Sequence, residues 1–216
     1  MKILCITDLH ENAKALERIL ADAGPVDLIL FGGDITHFGT PDDAERLIGP
    51  AGETGTKVLA VAGNCDSAAV DRRLSELGVS LSGRGVMHEN IGLHGLPAMP
   101  PWRSTMYQFI EAELAEMLEA GYAQIDGTAV HVVLSHAPPH GGKLDRTHLF
   151  QHVGSTALRE FIDERQPNLV LCGHIHESRG VEKSGRTTIA NCGASRARYY
   201  AIAEVADGVE VELRRA

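Results

Sequence analysis

With 216 residues, 44% of them hydrophobic and 23% charged, the chain has the makeup of a single globular domain over residues 1–216, too short for two full-sized cores. A formal net charge of −9 argues against a long nucleic acid as partner, since such binders carry a basic face. No apolar run nears the roughly 20 residues of a membrane helix and no stretch reads as a cleavable signal. Four cysteines without paired spacing fit a reducing compartment, so cytoplasmic residence is expected.

The first apolar run, Ile3 to Ile6, leads into Asp8 and His10, and the helical spacing of Ala15, Leu16, Ile19 and Leu20 predicts a helix over 11–23. Leu28 to Phe31 leads into Gly33 and Asp34, and Thr40-Pro41-Asp42-Asp43 has the form of a helix start. Val58 to Val61 leads into Gly63, Asn64, Cys65 and Asp66, after which Asp66 or Ser67 can cap a helix carrying Val70, Leu74 and Leu77. This alternation calls for a largely parallel sheet.

The centre is less regular. Residues 79–93 read as short strands with glycine turns, 97–101 as a loop, and about 104–120 as a helix. Met99, Trp102, Met106 and Tyr107 are read as core or helix-entry packing, with a pocket shield or dimer contact as the alternative. Val130 to Leu134 then leads into Ser135 and His136, Ser155 caps a further helix, and Leu169 to Leu171 leads into Gly173, His174 and His176. From residue 180 the chain reads as β, with a hairpin turn at Asp207-Gly208. One domain with two sheets between helices is expected.

Five strand-like runs thus end on Asp, Asn or His, and open α/β sheets bind ligands just beyond the carboxyl ends of their strands. Asp8-x-His10, Gly33-Asp34, Gly63-Asn64-x-Asp66, Ser135-His136 and Gly173-His174-x-His176 resemble, in order and spacing, the five motifs of the calcineurin-like metallophosphoesterases, most closely the small single-domain prokaryotic type. The resemblance implies a four-layer α/β/β/α sandwich of two mixed sheets flanked by helices. It also implies a dinuclear site: Asp8, His10 and His176 on one metal, Asn64, His136 and His174 on the other, Asp34 between them. Carboxylate, amide and imidazole ligands suit Mn²⁺, with Fe or Zn²⁺ as alternatives. Phosphate-ester hydrolysis by a hydroxide bridging the ions is implied, with a small diester slightly favoured over a monoester as substrate. Two divalent ions against Asp8, Asp34 and one hydroxide leave such a site positive, which draws a phosphate despite the acidic chain.

Many relatives carry His between the Asn and Asp of the third motif, as general acid. Cys65 stands there instead, either as a poorer proton donor or as a small packing residue. Asp66 is read as orienting a neighbour or capping the next helix. His37 is placed to overhang the metals, and His140, Arg146, His148 and His152 lie in a Gly/Pro-rich loop suited to substrate contact. His88, His94 and His131 read as structural, and Asn191 to Ser195 as a supporting turn. A nuclease of the same superfamily is the alternative activity; a non-catalytic protein scaffold, as in a retromer subunit, would show degenerate ligands.

Overall fold

The computed structural model describes residues 1–125 and 127–216. In chain order the elements are β1 (Lys2–Ile6), α1 (Ala13–Ala23), β2 (Leu28–Gly32), α2 (Pro41–Glu53), β3 (Lys57–Val61) and α3 (Ala68–Glu76). The middle of the chain supplies β4 (Val86–His88), β5 (Ile91–Leu96), α4 (Glu111–Tyr122), β6 (Val130–Ser135), α5 (Thr156–Arg165) and β7 (Leu169–Cys172). Then come β8 (Gly180–Ser184), β9 (Thr187–Asn191), β10 (Tyr199–Val205) and β11 (Val209–Arg215).

Two mixed sheets form. The first has the order β11-β10-β1-β2-β3 and the second β4-β5-β6-β7-β9-β8. In the first, β1, β2 and β3 run parallel while β10 and β11 pair antiparallel; in the second, β5, β6, β7 and β9 run parallel and β4 and β8 close the edges antiparallel. The period-2 alternation of the strands builds the layers. Ile3, Cys5, Leu28 and Leu30 meet Leu93, Val132, Leu134 and Leu171 of the other sheet. Their neighbours Leu4, Ile6, Ile29 and Phe31 pack outward on Leu16, Ile19, Leu47 and Leu74 of α1–α3. Val133, Val170 and Ile189 pack on Leu114, Leu118, Leu158 and Phe161 of α4 and α5. Each fully buried Leu, Ile or Phe contributes about 1.5–3 kcal/mol. The result is the expected α/β/β/α sandwich.

Local signals set most helix ends. Thr40 accepts from Asp43 N while Asp43 accepts from Thr40 N, a reciprocal cap for α2. Ser67, rather than Asp66, caps α3, and Ser155 caps α5. One helix differs from expectation: α4 starts at Glu111, not near 104. Residues 104–110 are held as a loop because Tyr107 N donates to Asn64 O (3.1 Å) and Phe109 N to Met99 O (3.1 Å). These tertiary bonds replace the helical ones, and Ile110 N finds Glu113 Oε2 at 3.0 Å instead.

Candidate metal centre

Backbone hydrogen bonds tie the strand ends together before any side chain is considered. Asp8 N donates to Gly33 O (3.0 Å), His10 N to Asp34 O (2.8 Å) and Glu11 N to Ile35 O (3.0 Å), so the loops after β1 and β2 run on as a pair. His136 N donates to Leu96 O (3.1 Å) and Gly173 N to His136 O (3.0 Å). The two sheets join where His174 N donates to the Asp8 carboxylate at 3.0 Å. Asp8, His10, Asp34 and His174 all hold positive φ (55°, 46°, 49° and 66°). Such left-handed residues cost about 1–3 kcal/mol each and persist where the surroundings over-determine them.

Asp66 is 4% exposed and accepts from Ile35 N, Thr36 N, Thr36 Oγ1 and Gly63 N, at 3.2, 2.8, 2.7 and 2.8 Å. It clamps the loop bearing Asp34 to the loop bearing Asn64. Gly63 lies so close to Asp34 that a β-carbon there would collide with its backbone and carboxylate, and one at Gly173 would collide with the Asp8 carboxylate.

These ties gather the side chains. The ligand-type atoms of Asp8, His10 and His176 lie within 4.8 Å of one another, as do those of Asp8, Asp34 and His136. His176 Nε2 is 3.1 Å from Asp8 Oδ1, His10 Nε2 is 3.6 Å from Asp34 Oδ2, and His136 Nε2 is 3.5 Å from Asp34 Oδ1. Asn64 Oδ1 approaches His136 Nε2 at 2.8 Å. His174 joins neither group; its ring stands 5.0 Å from that of His136. The clusters of His and Asp are of the kind that suits a dimetal site.

Several observations test whether cations fit here. Asp8 and Asp34 are 0% and 2% exposed, and among the described residues no lysine or arginine pairs with either. Burial, together with the negative charges of Asp8 and Asp66, pushes Asp34 up to about 7. Burial would also raise Asp8, but the hydrogen bond from His176 and the charges of His136 and His176 outweigh it and hold Asp8 low. Removal from water lowers His10 to about 4, and the same effect with His136 beside it lowers His174 to about 3, so both imidazoles are neutral with a lone pair free. His10 Nε2 is buried without a hydrogen-bond partner. His136 Nδ1 lies 2.9 Å from Gly32 O, which can only accept, so Nδ1 carries a proton, and Nε2 faces Asn64 Oδ1 at 2.8 Å. The residues fit divalent metals.

Of the anticipated substrate contacts, His37 touches an expected ligand, its Nδ1 lying 3.3 Å from His10 Nδ1. Together with Cys65 the two histidines form a further cluster within 4.8 Å. The Cys65 thiol is buried (7% exposed), its backbone N–H donates to Asp34 Oδ1 at 2.7 Å, and burial with the charge of Asp34 pushes its acidity well below that of an ordinary thiol. His152 is paired with the buried Asp145 at 2.7 Å and lies 5.7 Å, ring to ring, from His140. Arg146 stacks on Phe150 at 4.6 Å, and His148 reaches Glu177 through its backbone N–H (2.9 Å). This loop leans on the turn that carries His176 rather than on the metal-ligand side chains. His94 and His131 are structural, sharing an Nε2–Nε2 hydrogen bond of 2.7 Å between β5 and β6.

Arg196 is a residue that sequence reasoning passed over. Its backbone N–H donates to Asp8 O (3.0 Å), and it lines a depression of ≈ 530 Å³ with His10, Glu11, Asn12 and His37. The supporting turn at 191–195 was visible; the arginine one residue beyond it carried no motif.

The model of the calcineurin-like phosphoesterase family matches residues 1–178, and the chain belongs to that family. It is 32% identical over 197 residues to an uncharacterised protein of Methanocaldococcus jannaschii, covering 88% of this chain and 87% of that one. A Caenorhabditis elegans UPF0046 protein is 25% identical over 211 residues, covering 88% of this chain and 69% of its own. Among solved structures, a Thermus thermophilus protein has the same fold at TM-score 0.78 and 16% identity, covering 99% of this chain and 98% of that one. A dimetal phosphatase from Danio rerio does so at TM-score 0.68 and 12% identity, covering 100% and 96%. Among the described residues, no helix is long and apolar enough to cross a membrane.

Proposed function

We propose that the protein is a hydrolase of phosphate esters that uses two divalent metal ions, with small diesters favoured over monoesters. The observation that carries this reading is the buried pair Asp8 and Asp34, without a lysine or arginine partner among the described residues, beside the buried His10 Nε2 that lacks a hydrogen-bond partner. Asp8, His10 and His176 would hold one ion, Asn64, His136 and His174 the other, with Asp34 facing both. Mn²⁺ suits this oxygen and nitrogen set best, with Fe or Zn²⁺ as alternatives. When bound, such a pair polarises phosphoryl oxygens and makes water acidic enough to attack near neutral pH.

The chain's own residues do the rest. His37 steadies the outer nitrogen of His10, and a contact of that kind typically tunes metal affinity 10–100-fold. Asp66 fixes the distance between the Asp34 and Asn64 loops. Arg196 offers an exposed guanidinium beside His10, placed to meet a phosphate oxygen. The Cys65 thiol stays protonated but is a weak acid, so it gives up its proton reluctantly to a departing alkoxide. Esters with good leaving groups should therefore turn over fastest.

The test is to strip the protein with chelator, restore single metals, and screen phosphate mono- and diesters. Turnover restored by Mn²⁺, greatest on nitrophenyl diesters, is expected. Absence of turnover with every metal would overturn the reading.

A further inference from the structure

The rim of the site carries an aromatic side chain that the metal chemistry leaves unused. Phe38 holds φ 61° with its side chain 58% exposed. A bulky residue in the left-handed region is a backbone outlier, and exposing its ring forgoes the burial that normally offsets such a cost. The conformation is imposed by the site itself, since Phe38 N donates to Cys65 O at 2.8 Å. The ring stands edge-on to His37 at 5.1 Å, and His37 in turn touches His10.

Met106 lines the same cavity as Phe38. Its sulfur is 3.6 Å from Asn64 Nδ2, and the next residue, Tyr107, is pinned to Asn64 O. Phe38, Gly39, Ala68, Met106 and Tyr107 line an open cavity of ≈ 340 Å³ that abuts the Asn64–Asp66 loop, a volume in the range of small-ligand pockets. Most of its polar lining is already committed: the Asp66 carboxylate accepts from Ile35, Thr36 and Gly63, Ser67 Oγ accepts from Val70 N, and Tyr107 Oη donates to Asp71, which leaves the exposed Thr105 hydroxyl at the edge. The cavity therefore presents a ring face and a thioether, with few groups free to read hydrogen-bonding edges. The depression beyond His37 is the opposite, lined by Glu11, Asn12 and Arg196. His37 and Phe38 thus divide a polar arm of the site from an apolar one.

We propose that this apolar arm is a subsite for a planar aromatic group carried by the phosphate ester, an aryl ring or a nucleobase, stacked on Phe38 against Met106. The inference rests on the phosphate-ester reading above and adds the chemistry of one substituent. Stacking on an aromatic face, helped by a methionine sulfur, tolerates many ring systems, so purines and pyrimidines should be taken nearly alike.

Phosphonates, whose C–P bond is not hydrolysed, allow the test by binding alone. Methylphosphonate, phenylphosphonate and a 5′-methylenephosphonate of adenosine are titrated calorimetrically into manganese-loaded protein. At least one aromatic probe should bind roughly tenfold more tightly than methylphosphonate, as a stacked ring would give. A gain for the phenyl probe alone identifies an aryl ester, and one for the adenosine probe alone a nucleotide. In Phe38→Ala and Met106→Ala that ratio should fall toward one, while Phe38→Tyr keeps it; melting curves monitored by circular dichroism report whether each variant is folded. If methylphosphonate binds and neither ring adds affinity, the subsite is refuted and the phosphoesterase reading stands. If no phosphonate binds and no ester is turned over, both fall.

Discussion

Cys65 stands where the motif of many relatives carries a histidine. Burial and the Asp34 charge keep Cys65 protonated and weakly acidic, so in the proposed hydrolysis the step that would suffer is departure of a basic leaving group. Replacing Cys65→His should speed alkyl diesters by roughly tenfold or more relative to nitrophenyl diesters, within the range general acids supply. Equal effects on both substrate types, measured as kcat/KM, would show that residue 65 donates no proton. A second prediction concerns Gly63, where any β-carbon meets Asp34. Gly63→Ala should weaken manganese binding at least about tenfold, as displaced ligands do, and lower the melting temperature as well, because the Asp34 backbone has to move. At this scale the sequence was informative wherever chemistry dictates residue type: Asp8, Asp34 and His136 are legible because a carboxylate or imidazole after a buried strand is conspicuous. Arg196 and Phe38 were not, because exposed arginines and phenylalanines are common, and what distinguishes these two is contact with loops distant in sequence.

At the scale of elements, helix starts were readable where a side chain satisfies the first backbone donors. Thr40 and Asp43 do so for α2, and Ser155 for α5. Thr40→Ala should cost about 1 kcal/mol of unfolding free energy, read from a denaturant midpoint, and leave metal binding unchanged. The start of α4 was misplaced for a corresponding reason. The apolar spacing of residues 104–110 is compatible with helix, and only the bonds of Tyr107 to Asn64 and Phe109 to Met99 withdraw that segment into a loop. Those bonds place Met106 against Asn64, so the same departure from local propensity builds one wall of the apolar arm.

For the whole molecule, two sheets face to face follow from strands that alternate between an inner core and a helix-covered face, a pattern carried in the residues themselves. The pairing of sheets, and which histidines meet, is not local and had to be seen. His94 and His131 illustrate the cost of such burial. Removal from water, with His131 adding to the effect on His94 and Arg186 to that on His131, lowers them to about 3 and about 4. Both stay neutral in the folded protein while the unfolded chain takes up protons below about 6.5. The unfolded state then binds more protons, so stability is full above pH 6.5 and declines as pH falls toward 4. The decline is about 1.4 kcal/mol per pH unit for each histidine. Urea unfolding at pH 7 and pH 5 should show it, and His131→Gln should flatten the difference; an unaltered slope in that variant would assign it elsewhere. The central claim is that seven side chains from five strand ends hold two cations. Equilibrium dialysis against Mn²⁺, with metal analysis of wild type and Asp34→Asn, tests it most directly. About two ions per chain in the wild type and loss of at least one in the variant are predicted; a wild type that retains no metal, or a variant that retains as much as the wild type, would contradict it.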